Sequence, residues 1–90
     1  TFGMFSGRGE VVTLTFENRF IGVVMDRFGR EVPVRKRDEA HFSVRVQVAL
    51  SGQFYGWMTG LGAGAKITAP DDVVAEYCDY LHRMAAQYED

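Results

Sequence analysis

The 90-residue chain has one cysteine, two histidines and two prolines, and each scarcity narrows the field. Cys78 cannot make an internal disulfide, so a packed core has to hold the fold, and the reducing cytoplasm is the expected setting. His41 and His82 have no cysteine or carboxylate at ligand spacing, whereas zinc needs three or four convergent donors, so no metal is expected. No apolar run approaches the roughly 18 residues of a membrane span, and no signal peptide is visible. A G-x-S-x-G elbow, paired catalytic carboxylates and a P-loop are all missing. The short GRG at Gly7–Gly9 lacks the helix that a phosphate loop requires, and GLGAG at Gly60–Gly64 reads as a helix-to-strand turn. The expectation is a non-enzyme with no cofactor.

What is present is ordinary for one soluble domain: 47% hydrophobic and 24% charged residues. The net charge of −2 conceals two poles. Asp71 to Asp90 carries six acids against Arg83, a net of −5, while the first seventy residues carry nine bases and six acids, a net of +3. That excess is too small for strong nonspecific binding to nucleic acid. Thr1 to Gly9, spaced by glycines, reads as a linker from an upstream domain, and residues 10–90 read as the domain itself.

Glu10 to Glu17 alternates as a strand with Val12, Leu14 and Phe16 on one face. Asn18 is expected to cap a helix over Arg19–Phe28 with the stripe Phe20, Ile21, Val24, Met25 and Phe28, stopped by Gly29. Val32 to Arg37 is a second strand, and Pro33, with no N–H, puts it at an edge. Phe42 to Val48 is a third. Pairing Val34 with Val44 keeps the apolar residues on one face and leaves Asp38-Glu39-Ala40 as a three-residue loop. Such loops favour glycine, so a slightly longer loop is the alternative.

Ser51 caps a short helix in which Phe54, Trp57, Met58 and Leu61 form one stripe. Gly52, Gly56 and Gly60 recur every four residues on the other side, each costing up to about 1 kcal/mol against alanine. This bare face is a candidate close-packing interface, either for the acidic terminal helix or for another chain. Ala65 to Thr68 is a short fourth strand. Pro70, Asp71 and Asp72 then open the final helix, with Val74, Tyr77, Leu81, Met84 and Tyr88 as its apolar seam. The order β-α-β-β-α-β plus a helix predicts an α+β fold: two helices on one face of a four-stranded antiparallel, ferredoxin-like sheet.

The other sheet face is expected to carry Thr13, Thr15, Arg35, Arg37, Ser43, Arg45 and Gln47, with Lys66 or Thr68 from the last strand. Bases stack on aromatics, and this face has none. Arg35, Arg37, Arg45 and Gln47 instead suit an anionic ligand or an acidic partner surface, the alternative being a plain solvated face.

The strings VTLTFENRFIGVVMDRFG (Val12–Gly29), DEAHFSVRV (Asp38–Val46) and QFYGW followed by GLG (Gln53–Gly62) resemble the WCX domain, the C-terminal extension of bacterial WYL-domain transcriptional regulators. The likeness spans the chain from about Val11. Gly56 and Gly60 match positions characteristic of the family, and Tyr55 departs from an expected phenylalanine. The resemblance implies a full-length protein with a DNA-binding helix-turn-helix and a WYL domain upstream, in which this module serves homodimer formation and signal transmission, with an unknown effector. It implies no catalytic residue. An effector-sensing module of the ACT type and direct nucleic-acid binding by the sheet arginines are the alternatives.

No helix here clusters base-reading side chains as a recognition helix does. The 90-residue chain should therefore give no sequence-specific shift of promoter DNA at physiological salt. A discrete shift that survives nonspecific competitor would refute this.

Overall fold

The computed structural model describes residues 8–89. The linker reading of Thr1–Gly9 thus falls mostly outside the described residues. Gly9 already begins the first strand, β1 (Gly9–Glu17). The others are β2 (Val34–Lys36), β3 (His41–Ala49) and β4 (Ala65–Ala69), with helices α1 (Ile21–Phe28), α2 (Gly52–Gly60) and α3 (Asp71–Ala86). The class is α+β. Its four strands lie in the order β2-β3-β1-β4, and every neighbouring pair is antiparallel. It follows that β1 runs parallel to β2 with β3 between them, and β3 runs parallel to β4 with β1 between them.

The centre is the β1–β3 ladder, paired from Gly9↔Ala49 to Glu17↔His41. Val12, Leu14 and Phe16 meet Val46, Val44 and Phe42 across it, so alternation puts all six on one face. Phe16 stacks on Phe42 with ring centroids 5.4 Å apart, and Ile67 of β4 lies beside Leu14. Phe20, Val24, Phe54, Met58 and Val73 close over this face from the helices and complete the core.

The helix before β2 starts later than the sequence suggests. Asn18–Phe20 forms a 3-10 turn, and α1 begins at Ile21 without a side-chain cap. Asn18 is drawn elsewhere: its N–H donates to Ala40 O (2.9 Å) and its side-chain amide to Glu39 O (2.9 Å), extending the β1–β3 ladder into the hairpin loop. The tighter turn changes the phase of the stripe. Phe20, Val24 and Phe28, four residues apart, carry the packing, while Ile21, expected inside, is 37% exposed. Gly29 ends the helix as expected, at φ +97°, its N–H donating to Met25 O.

The predicted pairing of Val34 with Val44 is present, and Arg37 N–H donates to His41 O (3.0 Å) across a loop of Asp38, Glu39 and Ala40. No glycine is needed there because the Asp38 carboxylate accepts from Ala40 N–H (2.8 Å) and meets His41 Nδ1 at 2.9 Å. That contact holds the Asp38 carboxyl below its usual range. His41, half-buried, is thus paired with the carboxylate three residues before it. The strand is shorter than the expected Val32–Arg37, and Val34, at the sheet margin, is 43% exposed.

Ser51 caps α2 as its position implies, Oγ accepting from Phe54 N–H (3.3 Å), an arrangement typically worth about 1 kcal/mol. After α2 the chain turns through Gly62 and Gly64, both at positive φ. Gly64 sits where a Cβ would lie 2.8 Å from the Glu17 carboxylate, and its C=O accepts the Glu17 N–H. Gly64→Ala should lower stability by roughly 1–3 kcal/mol through a strained backbone and this clash. A urea melt showing no loss would refute the point.

Candidate functional site

Alternation sends the odd-numbered residues of β1 and β3 to the face opposite the helices. Arg35 stands directly across from Ser43, and Arg45 across from Thr13. Arg45 is a diagonal neighbour of Arg35, at about 7–8 Å between Cβ atoms, and Arg37 lies two residues from Arg35 on the side away from Arg45, so Arg35 stands between the other two. They line a surface depression of about 410 Å³ with Thr13, Ser43 and Thr68, and no carboxylate contributes to its wall. Ser43 forms the floor; at 3% exposure it is the one buried polar side chain among the described residues. Thr68 Oγ1 lies 3.0 Å from Thr15 Oγ1, where a bulge in β4 shifts the register between Thr13 and Leu14. The face thus holds hydroxyls at its base and guanidinium groups at its rim.

These arginines carry no ion pair, a state they share with Arg27, Arg30 and Lys66 among the described residues. Arg8, Arg19, Lys36 and Arg83 each have a carboxylate within 4.0 Å, whereas Arg35, Arg37 and Arg45 have none among the described residues. Guanidinium groups left unpaired around hydroxyls suit bidentate binding of a carboxylate or phosphate. Gln47, expected to join them, lies across from Val11 and lines a neighbouring depression with Arg45. The structure therefore brings three of the four predicted residues together.

The glycine face lies elsewhere. Gly52, Gly56 and Gly60 are exposed, and a Cβ built on any of them would meet nothing within 4 Å. The terminal helix does not approach them. It packs on the flank of α2 between the glycines and the sheet-facing side, where Tyr55 is buried with ring centroids 5.2 Å from Tyr77 and 5.1 Å from Tyr80 and Thr59 Oγ1 lies 2.9 Å from the Tyr77 hydroxyl. The expected seam of α3 is rotated accordingly. Val73 is fully buried and Tyr80 packs on the core, neither of them foreseen. Val74, Tyr77 and Leu81 are half-buried, but Met84 near the end of α3 is 39% exposed and Tyr88, beyond it, 88% exposed.

A family model for the WCX domain matches residues 8–85. The chain belongs to the WCX domain family. No curated protein and no solved structure matches it. Tyr55 of this WCX domain has a specific place in the packing. The phenol donates to Glu76 Oε1 (3.2 Å), whose Oε2 accepts from Arg8 Nη2 (2.9 Å), so one carboxylate ties the start of β1 and α2 to α3. A tyrosine could have been expected from the polar neighbours that α3 supplies, but only once the register of the two helices was known.

The pH behaviour of this tie follows from its directions. The Arg8 hydrogen bond holds the Glu76 carboxyl below its usual range, so its contribution is present at neutral pH and is lost as pH falls through the lowered value. Burial, reinforced by Glu76, pushes the Tyr55 phenol from 10.0 up to about 12. The unfolded chain therefore ionises first, and stability should drop as pH rises from about 10 to 12. Tyr55→Phe should flatten that alkaline slope in urea melts, and an unchanged slope would refute the assignment.

Proposed function

We propose that this WCX domain is the non-catalytic C-terminal regulatory and dimerisation module of a helix-turn-helix, WYL-domain transcriptional regulator, and that the outer face of its sheet receives an anionic ligand or acidic partner surface. The family match supports the regulatory setting. The observation that carries the site is the set of unpaired arginines, Arg35, Arg37 and Arg45, around the buried Ser43. DNA contact belongs, on this reading, to the upstream helix-turn-helix domain, and the effector acts through the WYL domain and this face. The open glycine side of α2 offers the homodimer a surface where a second backbone can come close. The accompanying fold reading is ferredoxin-like, supported by the two crossovers that each straddle an antiparallel strand.

Effector sensing in the manner of ACT-type modules is the second reading, favoured by the depression of about 410 Å³ at the arginines, which is within the size of small-molecule sites. Stacking of single-stranded nucleic acid has less support, because no aromatic side chain lines that depression.

Arg35, Arg37 and Arg45 are exposed and point away from the core. Changing all three to serine should leave the thermal melt of the 90-residue chain within a few degrees of wild type. In the full-length regulator it should weaken effector-dependent transcription or assembly at least tenfold, read by reporter assay and by mass in solution. A triple variant with wild-type behaviour would return the face to the solvent.

The glycine face has its own test. Gly56→Ala should stabilise the chain by up to about 1 kcal/mol, since the added methyl meets nothing. The bulkier Gly56→Leu should break the full-length dimer while leaving the isolated chain folded. An intact dimer would remove the glycines from the interface.

A further inference from the structure

The sheet is left unfinished at one edge. β3 pairs with β1 along all nine of its residues, but β2 covers it only from Phe42 to Val44. Pro33, which follows next toward the start of β2, has no N–H with which to continue. Hydrogen-bond parity then fixes which groups of β3 are bare. Arg37 N–H donates to His41 O on the β2 side, so the odd-numbered residues turn their main-chain groups that way. Leu50 N–H donates to Arg8 O on the β1 side, which fixes the even-numbered residues in the opposite direction. The N–H and C=O of Gln47 and the N–H of Ala49 therefore face outward with no strand beside them among the described residues, while Ala49 O accepts from Ser51 Oγ at 3.4 Å.

Two depressions lie end to end along this edge. One of about 620 Å³ runs between the 29–33 loop and Arg45–Gln47, and one of about 310 Å³ runs between Arg27–Phe28, the start of α2 and Gln47–Ala49. Their inner wall is apolar, formed by Phe28, Val46, Val48 and Phe54. Phe42 and Val44 are buried where β2 covers β3, whereas Val46 and Val48 are only half-buried where it does not. The charged side chains along both hollows are Arg27, Arg30 and Arg45 against Glu31 alone.

We infer that this edge takes up an extended, acidic segment of a partner polypeptide as an added strand. Main-chain bonds to Gln47 and Ala49 supply the pairing, and alternate side chains meet two different walls. Apolar ones face Phe28 and Val48, carboxylates on the opposite side face Arg45, and Arg27 and Arg30 line the hollows beside Phe28. The open stretch Arg45–Ala49 spans about 17 Å at 3.4 Å per residue, enough to seat a segment of about five residues. This inference stands apart from the outer-face reading, sharing only Arg45 with it.

The probe is an eight-residue peptide alternating valine and glutamate, added to the isotopically labelled 90-residue chain. Hydrogen exchange at the Gln47 and Ala49 amides should slow at least tenfold at saturation. A peptide alternating valine and lysine should bind at least tenfold more weakly. Gln47→Pro should abolish binding without unfolding the chain, since the N–H it removes serves no existing ladder bond. Should that variant unfold, the same glutamate peptide with alternate amides N-methylated should lose at least tenfold in affinity for the unaltered chain. The combined Arg35→Ser, Arg37→Ser variant should bind the peptide as wild type does. Unchanged exchange at the two amides, or equal binding of the N-methylated or lysine peptide, would overturn the inference. Loss of binding in the Arg35/Arg37 variant would move the peptide to the outer face and overturn it as well. Protection of the two amides that rises with protein concentration alone would show a second copy filling the edge, and would also overturn it.

Discussion

The nine-residue pairing of β1 with β3 is the constraint on which everything else depends. Side chains alternate with a period of two, so a slip of β1 by one residue against β3 would leave Phe42 and Val44 inside while turning Val12, Leu14 and Phe16 to the solvent and bringing Thr13 and Thr15 in. Burying a large apolar side chain is worth roughly 1.5–3 kcal/mol, and a slip would forfeit several at once. The register is therefore held by the core. The grouping of arginines on the far side comes with it, since a residue two places from a buried valine on the same strand shares its face and its immediate neighbours share the other.

That dependence explains how much could be read without coordinates. The strong alternation of Val12–Phe16 and Phe42–Val48 fixed the faces, the Val34–Val44 register and the cluster of Arg35, Arg37 and Arg45. These are local patterns repeated over enough residues to leave one solution. Tertiary competition was not legible. Asn18 has the chemistry of a cap, yet the hairpin loop offered two unpaired carbonyls at the right distance, and the side chain went to them. The phase of α3 was lost for a related reason. Its apolar residues allow two overlapping stripes, one through Leu81, Met84 and Tyr88 and one through Val73, Tyr77 and Tyr80. What selects the second is the ring of Tyr55 on α2, a contact that no spacing within α3 encodes.

Proline and glycine mark the places where this domain stops obeying its own sheet. Pro33 ends the β2 ladder early, which leaves the outer side of half of β3 without a neighbour among the described residues and opens the core margin at Val46 and Val48. Exposed edges invite unwanted pairing, and proteins commonly blunt them with charge. Arg27, Arg30 and Arg45 supply charge of one sign here, which repels a basic strand and a second copy of the same edge alike. The same charge leaves an acidic strand unopposed, so protection and selectivity come from one arrangement.

The glycines divide in the same physical way. Gly29 and Gly64 have backbone angles that a side chain resists, and Gly64 also lies against Glu17, so the fold of this chain accounts for them. Gly52, Gly56 and Gly60 have ordinary helical geometry and open space around them, and each makes α2 less stable than alanine would. A nine-residue helix is too short to hold itself together by propensity, and it depends on Phe54, Tyr55 and Met58 for anchorage. Three glycines in so short a helix raise the cost of keeping it formed while adding nothing to its contacts within the chain. The buried side of α2 explains why the helix survives that cost. Its open side has a physical use only where another surface comes within the space that the absent methyl groups leave.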